Sequence, residues 1–197
     1  MLVRHFAARI APGPLVAGRK RGRVRRGRPG SSAIQLAHAL GAGAVFAVDL
    51  NPRKLALAVL LGATPINAAS KDPVAAIQAL TQGRGVDVAL ELVGLPFTMQ
   101  QAVRSLAIKG RAALVGITPE SFSVAPYPEV INKEAEIIGV SDHLAVELPG
   151  LIAFARERKL NLARAVTACV PLAAAAINHA LDRLEQFGDE VRTVIQP

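Results

Sequence analysis

Two kinds of apolar pattern alternate along this chain. Short continuous apolar runs predict strands buried on both faces, because such strands have no solvent side on which polar residues recur. Between these runs, apolar residues recur every three or four positions, as on one face of a helix. Strands are predicted at residues 44–48, 64–67, 86–93, 112–115, 136–140, 166–170 and 191–195, and helices at 31–40, 52–61, 98–108, 148–159 and 172–186. A further helix is predicted from Pro73, capped by Asp72, to before Gly83.

This order of elements predicts the α/β fold class. Strands separated by helices of about 10 to 15 residues form parallel sheets through right-handed crossovers, with helices on both faces. We therefore expect a Rossmann-like doubly wound parallel sheet. With 197 residues, 51% of them hydrophobic, the chain is long and apolar enough to bury the core of one such domain.

The charge is unevenly distributed along the chain. Nine of the 23 basic residues lie among the first 28 residues, which contain no acidic residue, whereas the other basic residues nearly balance the 15 acidic ones. The net charge of +8 is thus a property of the amino-terminal segment. We divide the chain into a basic head, residues 1–29, expected to be disordered or non-native, and a dinucleotide-binding domain, residues 30–197.

Three interpretations of the basic head are open. Its spaced arginines and lack of acid are typical of a transit peptide, although no serine precedes Ser31. Clustered arginine also neutralises phosphate, which supports an alternative function as a non-catalytic nucleic-acid-binding protein; the low aromatic content, 4%, weighs against it. The favoured interpretation is that the chain is a truncated or frame-disturbed remnant of a longer protein, in which arginine-rich sequence arises from out-of-frame reading.

Several classes of site are excluded by residue type. A single cysteine, Cys169, excludes a disulfide framework and a cysteine-based zinc cluster. The four histidines lie far apart in the sequence and form no close pair of metal ligands. The longest stretch without charge, residues 29–48, contains serines and glycines, so no membrane span is expected and we predict a cytoplasmic protein.

The spacing of glycine and aspartate around the first two predicted elements is that of a dinucleotide site. Gly27 and Gly30 precede the first helix, and Asp49 closes the next strand 19 residues after Gly30. In doubly wound folds a glycine-rich turn and helix N-terminus bind pyrophosphate, and an acidic residue about 20 residues later binds ribose hydroxyls. By spacing alone, an aspartate that merely ends a strand is equally compatible.

Five segments in order resemble the zinc-containing medium-chain alcohol dehydrogenases. They are VDLNPRKLALAVLLGAT (48–64), GVDVALELVG (85–94), GRAALVGI (110–117), EAEIIGV (134–140) and DEVRTVI (189–195). The resemblance covers residues 30–197, the carboxyl-terminal NAD-binding domain of that family, and implies hydride transfer between an alcohol or aldehyde and NAD. The family's amino-terminal catalytic domain, which carries the zinc ligands, has no counterpart in this sequence.

The resemblance assigns cofactor contacts to particular positions. Asp49 would accept hydrogen bonds from the adenosine ribose hydroxyls and disfavour the 2′-phosphate of NADP, so NAD is the implied cofactor, and Lys54 would reach the ribose 3′-hydroxyl. Leu50 and Val93 would flank the adenine. The nicotinamide end would be held by backbone groups near four further residues: Val115, Gly116, Ile117 and Ile138.

The sequence also departs from the family's pattern. Aligned on Asp49, the first glycine of G-x-G-x-x-G is replaced by Arg25, and Pro29 removes a backbone donor from the loop. The preceding strand would fall on the charged residues 20–24, which cannot occupy the buried centre of a sheet. We therefore expect a sheet that lacks a normal first strand, or in which another segment replaces it, and NAD binding that is weakened or lost.

No catalytic residue is identified, and no zinc ligand. The chain is therefore expected to be inactive alone, and its enzymatic status is left undecided. A further alternative is a regulatory pseudoenzyme subunit that pairs with an intact homologue. The resemblance implies dimerisation through an edge strand of this domain, so a homodimer through the predicted edge strand Glu136–Val140 is also expected.

Overall fold

The computed structural model describes residues 14–18, 30–141, 145–161, 163, 166, 168–185 and 193–197. These residues form eight strands: β1 (Pro14–Gly18), β2 (Ala44–Asp49), β3 (Thr64–Asn67), β4 (Val86–Glu91), β5 (Leu106–Leu114), β6 (Glu136–Gly139), β7 (Ala168–Pro171) and β8 (Thr193–Gln196). They also form six α-helices: α1 (Gly30–Ala39), α2 (Pro52–Leu60), α3 (Pro73–Leu80), α4 (Pro96–Arg104), α5 (Leu148–Arg156) and α6 (Ala174–Glu185). A π-helical turn, Pro126–Ile131, and a 3-10 turn, Ala145–Glu147, lie between β5 and α5.

The main sheet has six strands in the order β3-β2-β1-β4-β5-β6. Every neighbouring pair is parallel. The strand order reverses between β1 and β4, which is the topological switch point of a doubly wound fold. The predicted α/β class and the Rossmann-like sheet are thus confirmed, and β6 occupies the edge position predicted for it.

The central strand of this sheet lies inside the basic head. Residues 14–18 pair with residues 44–48 of β2, and residues 15–18 pair with residues 88–91 of β4. This corrects the expectation of a missing first strand, and the sheet begins at Pro14, before residue 30, where the predicted domain begins. The expectation was wrong because it counted back from α1 by the length of a short glycine-rich loop, which led to the charged residues 20–24.

In the structure, residues 14–18 therefore replace the charged residues 20–24 as the central strand. The run PLVAG of β1 is apolar, as a strand between two neighbours requires. The connection from β1 to α1 then comprises residues 19–29, which lie outside the described residues, as do the charged residues 20–24 within it.

Both faces of the main sheet are covered by helices. Alternate residues of β2 point to opposite cores: Val45 and Ala47 pack with α1 and α2, whereas Phe46 and Val48 pack with α3 and α4. This explains why strands such as β2 are apolar at successive positions.

Helix starts follow the local signals in the sequence. The Asp72 carboxylate accepts a hydrogen bond from the Ala75 N–H at 2.7 Å and caps α3, as predicted. At the start of α2 the Asn51 side chain accepts from the Arg53 N–H at 2.9 Å. Proline occupies the first turn of both helices, where its missing N–H costs no hydrogen bond.

The helix predicted at residues 98–108 is displaced. In the structure α4 begins at Pro96 and ends at Arg104, and β5 starts at Leu106. Leu106 pairs with Val86 of β4 and is buried, so pairing with a neighbouring strand outweighs the helical periodicity of its own segment.

The strands β7 and β8 form a separate two-stranded parallel sheet, which pairs residues 168–171 with residues 193–196. The two strands were predicted, but their separation from the main sheet was not. The N–H of Asn161, in the chain that leads from α5 to β7, donates to Oε1 of Gln35 in α1 at 2.5 Å. None of the described helices is long and apolar enough to cross a membrane.

Candidate cofactor-binding site

The carboxyl ends of the central strands meet along one edge of the main sheet. Glu91 at the end of β4 lies opposite Gly18 of β1 on one side and Leu114 of β5 on the other, and Asp49 ends β2. Ligands of open α/β sheets bind outside this edge, at the switch point. The site is therefore built from the residues that follow β2, β4 and β5.

Asp49 lies half-buried in the turn between β2 and α2. Its Oδ1 accepts a hydrogen bond from the Asn51 N–H at 2.9 Å, which fixes the carboxylate in the turn. Among the described residues its other oxygen has no hydrogen-bond partner. A carboxylate held in this way presents one acceptor oxygen beyond the strand end.

Glu91 is the most deeply buried charged residue of the site, with 2% of its surface exposed. Its Oε1 accepts from the N–H groups of Val93 and Gly94, each at 2.9 Å, and from the Thr98 hydroxyl at 2.7 Å. These neutral donors satisfy the carboxylate in place of a basic side chain. Sequence analysis did not single out Glu91 or Thr98, although a glutamate at the end of a buried strand is a signal for a polar site.

Two glycines bring the segments after β4 and β5 into close contact. A side chain at Gly94, whose φ is +80°, would meet the carbonyl oxygen of Ile117 at 2.5 Å. A Cβ at Gly116 would overlap the backbone nitrogen of Gly94 and lie 2.6 Å from Oε2 of Glu91. Only glycine fits at either position without moving the backbone.

A cavity of about 320 Å³ opens beside this edge, on the face of the sheet covered by α3 and α4. Its walls come from the ends of β2 and β4, from the turn after β3 and from α4; the lining includes Val48, Ser70, Lys71, Glu91, Phe97 and Thr98. Leu50 and Val93, the two residues that the resemblance places beside adenine, adjoin Asp49 and Glu91 in sequence but are not part of the lining.

The remaining predicted contact residues are spread along the same edge. Val115 and Ile138 are partly buried and pack against the core on the α1 side, and the Val115 N–H donates to the Glu91 carbonyl at 2.9 Å. Ile117 is 83% exposed. Leu50 and Lys54 are half-buried in the turn and first helical turn after β2, Gly30 begins α1, and Gly27 lies outside the described residues.

The residues present fit a dinucleotide at two points. The N-terminus of α1 lies after β1, where unpaired backbone N–H groups favour an anionic group. There the hydroxyl of Ser31 is buried and has no hydrogen-bond partner among the described residues. At the other end of the site, the carboxylate of Asp49 suits the hydroxyls of a ribose.

The described residues contain no group of three or more histidine, cysteine, aspartate or glutamate side chains placed to hold a metal ion. Cys169, the single cysteine, is exposed on β7.

Comparisons with known proteins agree with this architecture. The family described as zinc-binding dehydrogenase matches residues 30–156. A sorbitol dehydrogenase of Bacillus subtilis (strain 168) is 35% identical over 139 residues, which are 69% of this chain and 38% of that protein. An NAD-dependent alcohol dehydrogenase of Sulfurisphaera tokodaii is 31% identical over 169 residues, 85% of this chain and 47% of that protein.

Among solved structures, 2R,3R-butanediol dehydrogenase from Bacillus subtilis superposes with a TM-score of 0.86 and 25% sequence identity, covering 99% of this chain and 54% of that chain. This chain thus spans about half or less of the length of each relative. The match of the family to most of the chain, together with the shared fold, means that this chain belongs to the zinc-binding dehydrogenase family.

Proposed function

We propose that this chain binds NAD as the cofactor domain of a zinc-type alcohol or aldehyde dehydrogenase. The observation that carries the proposal is Asp49: its carboxylate ends β2 at the ligand edge, is held by the Asn51 N–H, and has an oxygen without a partner among the described residues. Two hydroxyls of the adenosine ribose would donate to this carboxylate. A 2′-phosphate at the same place would meet its negative charge, so NAD is preferred to NADP.

The cavity beside the sheet edge supports the same assignment. Its volume of about 320 Å³ and its mixed wall of apolar and polar groups suit a purine base with its ribose. We therefore propose that the adenosine half extends from Asp49 into this cavity. The nicotinamide half would then lie toward Val115, Gly116 and Ile138, beyond β5 and β6.

NAD supplies the hydride acceptor of the reaction when it is bound. The part of this chain in that reaction is to bind and orient the cofactor at the sheet edge. We propose that hydride transfer also requires a metal-carrying catalytic domain, because family members bind zinc and this chain spans only about half of its relatives. Alone, the chain should bind cofactor without oxidising alcohols.

The connection between β1 and α1 is expected to weaken this binding. Aligned on Asp49, Arg25 replaces the first motif glycine, the residue that makes the tight turn of the loop in this family of sites. Pro29 cannot donate a backbone hydrogen bond to pyrophosphate. Affinity for NAD should therefore be below that of an intact motif.

Calorimetric titration of the full chain with NAD and NADP tests the proposal. We expect NAD to bind more tightly than NADP. Asp49→Asn should lower the affinity for NAD by about tenfold and reduce the difference in affinity between NAD and NADP, because the amide lacks the negative charge that binds the ribose hydroxyls and repels the 2′-phosphate. Asp87→Asn, which removes an ion pair with Arg84 at the start of β4, is the matched control and should leave both affinities unchanged. Dissociation constants far above the millimolar range for both cofactors would remove the proposal.

The edge strand β6 supports a homodimer as the form in which the domain assembles. Its outer side has no neighbouring strand among the described residues, and Ile137 on it is 36% exposed. Pairing of two copies along β6 would satisfy the open backbone groups. Because the Val140 N–H donates to Leu114 of β5, the Ile137 N–H faces the open side of β6. Sedimentation velocity should then give a dimer that Ile137→Pro, which removes this outward donor, converts to a monomer; a wild-type monomer would contradict the proposal.

A further inference from the structure

One buried residue joins the two segments that the proposed cofactor must reach. We call residues 92–95 the β4 loop and residues 115–118 the β5 loop. The carboxylate of Glu91 accepts from the N–H groups of Val93 and Gly94 in the β4 loop. Its backbone carbonyl accepts from Val115 at 2.9 Å and Gly116 at 3.1 Å in the β5 loop.

The carboxylate of Glu91 is held in place by hydrogen bonds from protein donors. Glu91 is 2% exposed, so its carboxylate depends on these protein donors, and a buried charge that loses its partners is strongly unfavourable. Thr98 adds a third donor and connects the carboxylate to the first turn of α4. Both loops are thus anchored on one residue that is itself fixed at the end of β4.

The two loops also touch directly. Gly116 lies so close to Gly94 and to Oε2 of Glu91 that a methyl group does not fit between them. Any displacement of the β4 loop is therefore transmitted to the β5 loop through packed backbone rather than through flexible side chains. Glu91 thus contacts both loops at the place where they touch each other.

We propose that Glu91 is a positioning residue that sets the separation of the β4 and β5 loops and thereby allows one dinucleotide to engage both. This inference rests on the proposed NAD site. The adenosine half needs only the side of the site near Asp49 and the β4 loop, whereas the whole cofactor needs both loops at a fixed distance. Glu91 acts through Val93, Gly94, Val115 and Gly116.

Comparing the affinities for NAD and for ADP-ribose, which lacks the nicotinamide, distinguishes a residue that positions both loops from one that affects only the adenosine half. In Glu91→Gln the amide oxygen can keep the bonds made by Oε1, but the charge is lost and the amide nitrogen, which cannot accept, takes the place of Oε2. The bond from the Gly94 N–H to Oε2 at 3.1 Å is then lost and two donors face each other, so the β4 loop loses part of its anchor. We expect NAD to bind about tenfold more weakly and ADP-ribose at most about twofold more weakly, because only the former spans both loops. Glu91→Asp keeps the charge and should recover part of the NAD affinity.

Val86→Ala is the control for a general loss of stability, because Val86 is fully buried in β4 and does not line the cavity. It should lower the unfolding temperature without changing the ratio of the two affinities. Glu91 lines the cavity proposed for adenosine, so equal weakening of NAD and ADP-ribose in Glu91→Gln would mean that it acts only on the adenosine half. That result would overturn the proposal, as would unchanged affinity for both ligands.

Amide hydrogen exchange of the ligand-free chain gives a readout that does not depend on cofactor binding. In Glu91→Gln we expect faster exchange at Val93 and Gly94 and also at Val115 and Gly116, with the amides in the middle of β4 and β5 unchanged. Faster exchange confined to the β4 loop would mean that Glu91 does not couple the loops. If wild-type chain fails to bind NAD, the proposed function fails, while the exchange pattern still decides the coupling.

Discussion

The two sheets of this molecule differ in how much core they build. In the main sheet β4 and β5 are largely buried, and α1 and α4 each bury four residues against it. In the second sheet, β7 alternates between half-buried and exposed residues, and β8 has three exposed residues after a half-buried Thr193. Val194 and Ile195 of β8 keep 37% and 46% of their surface exposed. Helix α5 contains no buried residue.

This difference indicates where the stability of the chain lies. Burial of apolar surface supplies most of the free energy of folding, so the main sheet carries the cooperative unit and the second sheet contributes little to it. The proposed cofactor site lies entirely on the edge of the main sheet. Substitutions in the two sheets should therefore differ in both stability and binding.

The largest effect on stability is expected when β1 is interrupted. Val16→Pro places a residue without an N–H in the strand that pairs with both β2 and β4. We expect a loss of about 3 kcal/mol or more from a total of about 5–15 kcal/mol, and cofactor binding should be lost with the fold. Thermal unfolding followed by circular dichroism measures this loss of stability, because the chain has no tryptophan for fluorescence. An unchanged melt would mean that residues 14–18 are not the central strand.

The second largest effect on stability is expected from a change at the contact between the β4 and β5 loops. Gly116→Ala adds a methyl group that overlaps the backbone of Gly94, so the loops must separate. We expect about 1–3 kcal/mol of destabilisation in urea unfolding. Gly139→Ala in β6 is the matched control, because a Cβ there meets nothing within 4 Å, and its effect should stay within about 0.5 kcal/mol. Equal effects of the two substitutions would contradict the close contact.

A smaller effect is expected from the second sheet. Val194→Pro removes a backbone donor from β8 as Val16→Pro does from β1. Because little core depends on β8, the main unfolding transition should lose less than about 1 kcal/mol, and NAD affinity should be unchanged. A loss as large as that of Val16→Pro would show that the two sheets unfold as one unit.

The smallest expected effect concerns pH at the border of the main sheet. Burial alone would raise the pKa of Glu129, but the Ala125 N–H, Arg104 and Lys133 outweigh it and hold the pKa below its ordinary value of 4.5. Its bond with Arg104, 2.7 Å long, joins the π-helical turn to α4, and Lys133 donates to the Arg104 carbonyl at 2.9 Å.

The folded state keeps Glu129 deprotonated to lower pH than the unfolded state does. The resulting stabilisation is complete above the ordinary pKa and is lost as pH falls through the lower folded-state pKa. Glu129→Gln should therefore cost less than about 1 kcal/mol at neutral pH and flatten the acid side of the stability curve. Urea titrations from pH 6 to pH 3 measure this; parallel curves for the two proteins would contradict it.

Local signals in the sequence identified most of the main sheet. Apolar runs gave the positions of β2, β3 and β4 to within two residues, and Asp72 with Pro73 marked the start of α3. The spacing from Gly30 to Asp49 also placed the carboxylate at the ligand edge. These features depend on neighbours within a few residues, so they are readable without the rest of the fold.

Other features depend on contacts between distant segments. Leu106 belongs to β5 rather than to a helix because Val86 pairs with it, and Glu91 joins two loops only because β4 and β5 are neighbours. The cavity likewise combines residues from the ends of β2 and β4, the turn after β3 and helix α4. No periodicity or residue spacing within a single segment of the sequence indicates these contacts.

The sequence alone determined the fold class, most of the strands and helices, and the acidic end of β2, because periodicity and helix capping are local properties. Only the tertiary structure decided which apolar run forms the centre of the sheet. Residues 14–18 form this central strand because they pair with β2 on one side and β4 on the other, with partners 30 and 73 residues further along the chain. Strand pairing is a property of two segments together, so neither segment contains it alone.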